Sequence, residues 1–194
     1  MDILLIGLAS YLLGSIPFGV VLSRSRNINL KEHGSGNIGA TNVARVLGKK
    51  AGLLTLLGDL LKGSLAVFLA DLFLKNPNGI AIAGALAFTG HIFSIFLKFK
   101  GGKGVATGLG VLLYSIPYPT LCAAVIFGLI LWSCRYVSLG SIVSAISIPL
   151  TAMLFGEAAP YIYLSSFIAI LIVWRHSENI ARLRTGTENK FGSK

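Results

Sequence analysis

Residues 51–74 read AGLLTLLGDLLKGSLAVFLADLFL. As a helix this run rises about 36 Å at 1.5 Å per residue, enough to cross the roughly 30 Å hydrocarbon layer of a bilayer. Two of its charges, Asp59 and Lys62, stand three apart in its middle. In lipid that is costly, so both are expected to face a helix bundle with each other as partners. A structural pair and the flank of an active site are both compatible with that placement.

Composition extends the reading to the whole chain. Of 194 residues, 54% are hydrophobic and 12% charged, with a mean hydropathy of +0.78, which excludes a water-soluble domain. Backbone hydrogen bonding excludes open strands in hydrocarbon. The expected fold is therefore an all-α, polytopic membrane helix bundle, a single integral membrane domain over 1–194. Further spans are expected at 2–23, 80–97, 105–116, 120–134, 139–155 and 161–174. The first has no basic leading region and is too long for a signal-peptide core, and Pro17 should kink it. The segment 105–116 is only about 18 Å long as a helix, a short or tilted crossing. Turns rich in Pro, Gly and Asn are expected at 75–79, 117–119 and 156–160.

Seven crossings assign alternate loops to alternate sides. Segments 24–50, 98–104, 135–138 and 175–194 share one side and hold 15 of the 17 Lys and Arg residues. The positive-inside rule makes that side cytoplasmic, with the amino terminus outside and the carboxyl terminus inside. The net charge of +10 thus belongs to one membrane face, and no nucleic-acid partner is implied. Cys122 and Cys134 fall in one apolar stretch and read as small buried hydrophobes.

The polar motifs gather on the same side. His33-Gly34-Ser35-Gly36-Asn37-Ile38-Gly39-Ala40-Thr41-Asn42-Val43-Ala44-Arg45 combines glycines, small hydroxyl and amide groups and an arginine. Such a run can wrap an oxyanion with converging N–H groups, aided by a helix starting near Thr41. It can equally be an interhelical turn. Lys100-Gly101-Gly102-Lys103-Gly104 brings backbone close to a phosphate with Lys103 as a point charge, without the spacing of a nucleotide loop. Ser138 and Ser141 place hydroxyls at the entrance of a span. His176 and Asn179, three apart, share a helix face that Arg182 extends, while Glu178 turns away toward a basic neighbour. His91 reads as a helix-packing histidine.

What is missing narrows the chemistry. Metal-dependent phosphoryl transfer wants clustered carboxylates, yet this side carries Glu32, Glu178 and Glu188 far apart, so no metal and no cofactor is expected. There is no Gly-x-Ser-x-Gly elbow. Five residues after His33, His91 and His176 stand Ile38, Phe96 and Ala181, which excludes a His-x4-Asp acyltransferase.

Together, Gly34 to Asn42 with Arg45, Asp59-x-x-Lys62-Gly63, Gly90-His91 through Lys100-Gly101-Gly102-Lys103-Gly104-Val105-Ala106-Thr107, and His176-Ser177-Glu178-Asn179-Ile180 with Arg182 and Gly186-Thr187-Glu188 resemble the bacterial acyl-phosphate:glycerol-3-phosphate acyltransferase family over nearly the whole chain. The resemblance implies transfer of a fatty acyl group from acyl phosphate to the 1-hydroxyl of glycerol 3-phosphate, giving lysophosphatidic acid, at the cytoplasmic face of the bacterial inner membrane. It implies Ser35 and Arg45 as catalytic, Gly101 to Gly104 as the phosphate loop for glycerol 3-phosphate, His176 and Asn179 as important for activity, and Glu178 for integrity.

An acyl phosphate has a good leaving group, so positioning and oxyanion stabilisation carry such a reaction. On that reading Gly34, Ser35, Gly36, Asn37, Gly39, Thr41 and Asn42 cradle the donor. Arg45, Lys103, His176 and Asn179 hold glycerol 3-phosphate, and Ser141 is a further binder. The hydroxyl proton passes to the donor phosphate or, in the competing version, to His176. Membrane lipid surrounds the acyl chain, and no obligatory protein partner is inferred. A small transporter of phosphate or an organic anion is the rival, and it predicts motifs near the bilayer midplane.

Overall fold

The computed structural model describes residues 3–192, and no strand occurs among them. The helices are α1 (Ile3–Ser15), α2 (Phe18–Arg24), α3 (Ala40–Leu47), α4 (Lys49–Leu74), α5 (Pro77–Ile92), α6 (Val105–Ser115), α7 (Pro117–Cys134), α8 (Val137–Leu154), α9 (Ala159–Arg175) and α10 (Ser177–Arg184). Four of them, α4, α5 with its short extension to Leu97, α7 and α8, are long and apolar enough to cross a membrane. The bent pairs α1–α2 and α9–α10 bring that number to as many as six. The expected crossing at 105–116 corresponds to α6, an apolar helix of 11 residues.

Both bends have local causes. Pro17 lacks an N–H, so the Leu13 carbonyl accepts from Ile16 at 3.2 Å instead, and the chain turns by 41°. At His176 the backbone N–H is shared between the carbonyls of Ile172 and Val173, both at 3.1 Å, and a 56° bend follows. His176 and Asn179 therefore flank a break and do not ride one continuous helix face.

The three expected turns are shorter than their composition implies. Pro77, Pro117 and Pro160 sit in the first turns of α5, α7 and α9, where a proline costs no hydrogen bond. Asn76 caps α5, its Oδ1 accepting from the Gly79 N–H at 2.8 Å.

The described residues form two compact units, one ending at Ser115 and one starting at Ile116. In the first, α1 packs on α5, α4 on α6, and α3 on α4. Small residues make these crossings tight: a Cβ at Gly14 would overlap the Ala87 carbonyl and one at Gly63 that of Thr107. Leu30, Ile38, Val43, Leu47 and Ala51 form a core under the loop that precedes α3. In the second unit α8 lies against α7 and α9, and α10 folds back on α8 and α9. The outer faces stay apolar and bare, with Trp132 and Leu154 each 84% exposed, as lipid contact requires and water would not tolerate.

Candidate active site

Asn42 organises the first loop. Its side chain is 2% exposed, its Oδ1 accepts from the Ser35 N–H at 2.8 Å, and its Nδ2 donates to the carbonyls of Asn37, His33 and Leu30 at 2.8, 3.1 and 3.4 Å. The loop takes left-handed conformations at two positions, Gly34 (φ 61°) and Gly36 (φ 69°). A Cβ on Gly34 would collide with Asn42 Oδ1, so a glycine is required there on two grounds. Gly39 then leads into α3, whose first N–H groups belong to Ala40 and Thr41.

What this scaffold presents outward is chemically simple. Ser35, Thr41 and Arg45 are exposed. Thr41 and Arg45 are one turn apart on α3, and Arg45 Cδ lies 3.5 Å from where a Gly34 Cβ would stand, which lays the arginine against Gly34. None of the three side chains forms a hydrogen bond or ion pair among the described residues. Asn37 accepts from the Gly39 N–H through Oδ1 at 3.3 Å, a local turn bond.

The second loop adjoins the first. A Cβ at Gly102 would sit 3.3 Å from Ile38 Cγ1 and 2.5 Å from His91 Nε2. The N–H groups of Gly101 and Gly102 donate to the carbonyls of Ile92 (2.9 Å) and His91 (3.2 Å) at the end of α5. Those two donors close the helix end, and Lys103 and Gly104 carry the chain on into α6. Gly104 has φ 82°, and a Cβ there would overlap the Phe88 ring.

Behind the loops lies a buried polar cluster. Lys62 Nζ is 2.8 Å from Asp59 Oδ1 and donates to the Ile16 carbonyl at 2.6 Å. His91 Nδ1 stands 3.5 Å from Asp59 Oδ1 and 3.1 Å from Thr107 Oγ1. Asp59, Lys62, His91 and Thr107 are all 5% exposed or less. Sequence spacing pairs the first two; His91 and Thr107 join only because α5 and α6 pack beside α4.

The second unit builds its own constellation around Glu188. Its Oε1 accepts from Ser138 Oγ at 2.8 Å and Asn179 Nδ2 at 2.7 Å, and its Oε2 from Arg182 Nε at 2.7 Å. Burial pushes the Glu188 carboxyl up, but the three donors and the Arg182 charge outweigh it and hold the group below its ordinary value. Glu178, expected to serve integrity, is largely exposed and reaches Arg182 at 3.9 Å. Glu188 stands in the sequence only as part of the Gly186-Thr187-Glu188 motif, and its role as acceptor was not legible because its partners lie 6, 9 and 50 residues away. The available signal was Gly186: at φ 71° it ends α10 with Gly186 N–H to Leu183 O and Thr187 N–H to Arg182 O, a closure that sends the chain back along the helix.

His176 is 3% exposed, with Nδ1 2.8 Å from the Ile172 carbonyl. A carbonyl only accepts, so Nδ1 carries the hydrogen in this bond. Ser141, also buried, donates to Val137 within α8 at 2.8 Å. Arg135 Nη2 and the Phe191 carbonyl meet at 3.0 Å, and the Phe191 N–H returns a 2.6 Å bond to the Arg135 carbonyl, anchoring the tail. No group of three or more His, Cys, Asp or Glu capable of holding a metal exists among the described residues.

Comparison with known proteins gives a uniform answer. The family model described as glycerol-3-phosphate acyltransferase matches residues 4–186. A protein of that name from Geotalea daltonii is 48% identical over 97% of this chain and 96% of its own. One from Carboxydothermus hydrogenoformans is 48% identical over 99% and 98%. Among solved structures, the crystal structure of PlsY (YgiH), an integral membrane glycerol 3-phosphate acyltransferase, in its glycerol 3-phosphate form superposes with a TM-score of 0.94 at 41% identity, over 99% of this chain and 96% of that one. Its lysophosphatidic acid form gives 0.91.

Proposed function

The chain belongs to the glycerol-3-phosphate acyltransferase family, and on that premise we propose that it transfers a fatty acyl group from acyl phosphate to the 1-hydroxyl of sn-glycerol 3-phosphate, releasing lysophosphatidic acid and phosphate. It is a multi-pass membrane enzyme. The observation that carries the substrate reading is the first loop: Ser35, Thr41 and Arg45 stand outward and unengaged on a scaffold braced by Asn42. This is the arrangement of a preorganised anion site.

The proposed topology is seven crossings, with the motif loops at the cytoplasmic face of the bacterial inner membrane. Support comes from the basic loops and from seven apolar segments, counting each bent pair and α6 once. Ser35 and the loop of Gly34, Gly36, Asn37, Gly39 and Thr41 cradle the donor phosphate, and Asn42, expected from sequence as a further binder, is turned inward and braces them instead. Arg45, Lys103 and the Gly101–Gly104 loop bind glycerol 3-phosphate, Ser141 assists, and His176 and Asn179 act on the acceptor. The glycerol oxygen forms the new ester bond as the acyl carbon–phosphate oxygen bond breaks. The leaving phosphate takes the hydroxyl proton, because the leaving group is itself a base of suitable strength at neutral pH.

Purified protein in detergent, given acyl phosphate and labelled glycerol 3-phosphate without metal or coenzyme A, should form labelled lysophosphatidic acid. Absence of product sinks the assignment. Loss of turnover in His176→Gln with unchanged affinity for both substrates would instead make His176 Nε2 the base.

A further inference from the structure

The buried cluster behind the loops has no place in the scheme so far, and its bonds run in a definite direction. Lys62 caps the Ile16 carbonyl at the break between α1 and α2, and Ser94 Oγ caps the neighbouring Ser15 carbonyl at 2.6 Å. Tyr11 Oη holds the Phe93 carbonyl at 2.7 Å. Lys62 also grips Asp59, Asp59 faces His91, and Thr107 bonds His91 from the far side of the glycine loop. The backbone of His91 and Ile92 then supplies the two carbonyls that receive Gly102 and Gly101. Tyr11 and Ser94 thus fasten the start of the 93–104 segment to the broken helix, and its glycine end is fastened to His91 and Ile92, with His91 held in turn by the cluster.

We propose that Lys62, Asp59, His91 and Thr107 are positioning residues that set the Gly101–Gly104 loop for glycerol 3-phosphate, acting through the main chain of His91 and Ile92 and never touching substrate. The inference rests on reading that loop as the acceptor's phosphate site. A purely structural pair in a membrane bundle needs only its own neutrality. Here the bonds extend past the pair to main-chain carbonyls on one side and to the loop's anchoring residue on the other. Each of these bonds involves a charged or buried partner, the class whose removal is most costly.

The test separates substrate from substrate. His91→Leu, which keeps bulk and removes Nδ1, should raise KM for glycerol 3-phosphate about tenfold, the loss expected for a hydrogen bond to a charged group, with KM for acyl phosphate unchanged. His91→Asn, whose amide falls where Nδ1 was, should recover most of the difference. Thr107→Val, near-isosteric and removing one hydroxyl, should move the same constant in the same direction and serves if His91→Leu does not fold. Equal rises in both KM values, no recovery in His91→Asn, or unchanged kinetics in Thr107→Val each overturn the proposal. Lys103→Ala in the same assay tests the underlying reading: no rise in its glycerol 3-phosphate KM refutes the loop's assignment, whereas a rise there without one in the His91 and Thr107 variants refutes the positioning alone.

Discussion

Removing the carboxamide of Asn42 should disable the first loop without touching its exposed chemical groups. Asn42→Ala leaves the Ser35 N–H and the carbonyls of Asn37 and His33 without their partners at 2.8, 2.8 and 3.1 Å, while the 3.4 Å contact to Leu30 contributes little. At about 1 kcal/mol for each of the three good bonds, the ordered loop loses roughly 3 kcal/mol, which is a factor of about a hundred in its population and in kcat/KM. Gly34→Ala attacks the same contact from the other side, through a left-handed φ and a collision with Asn42 Oδ1. In the Asn42→Ala background that collision is gone, and only the left-handed penalty of about 1–2 kcal/mol remains. A double-mutant cycle on kcat/KM with both substrates varied should therefore show strong non-additivity. Amide hydrogen exchange at Ser35 should accelerate in Asn42→Ala and leave α4 protected. Wild-type kcat/KM within threefold in Asn42→Ala, or additive effects of the two substitutions, refutes the bracing role.

Two further outcomes follow from the same geometry. Glu188 is depressed in the folded protein, so it contributes stability that is complete above its ordinary value of 4.5 and is lost as pH falls through the lower folded value. Thermal melting in detergent across that acid range should show a drop that Glu188→Gln lacks, and identical profiles contradict the network. Gly104→Ala must adopt φ 82° and displace the Phe88 ring; it should lower glycerol 3-phosphate affinity by tenfold or more, on the order of 1.4 kcal/mol, and calorimetric titration showing wild-type affinity would contradict the close approach.

Periodicity and composition carried the helical class because a bilayer leaves the backbone few alternatives. The break at Pro17 was legible in the same way, and the one at His176 was not. A proline announces its missing donor, whereas the slip at His176 comes from one N–H shared between two carbonyls, which no residue type signals. The pairing of Asp59 with Lys62 was visible from an i, i+3 spacing inside an apolar run. That His91 and Thr107 complete the cluster was not, since they come from helices brought together by close glycine contacts at positions such as Gly63.

The loops show the same division. Their residue types, closely spaced glycines beside Ser35, Arg45 and Lys103, suited an anion site and an interhelical turn alike, and only the three motifs taken together favoured the first. Which groups face outward was decided by folding. Asn42 turned inward to bind four main-chain groups, and Gly101 and Gly102 spent their N–H groups on the end of α5. Glu188 emerged as the acceptor for Ser138, Asn179 and Arg182. Side-chain identity is local and is written in the chain. The partner that satisfies each buried polar group depends on which segments meet, and that is settled only when the helices pack.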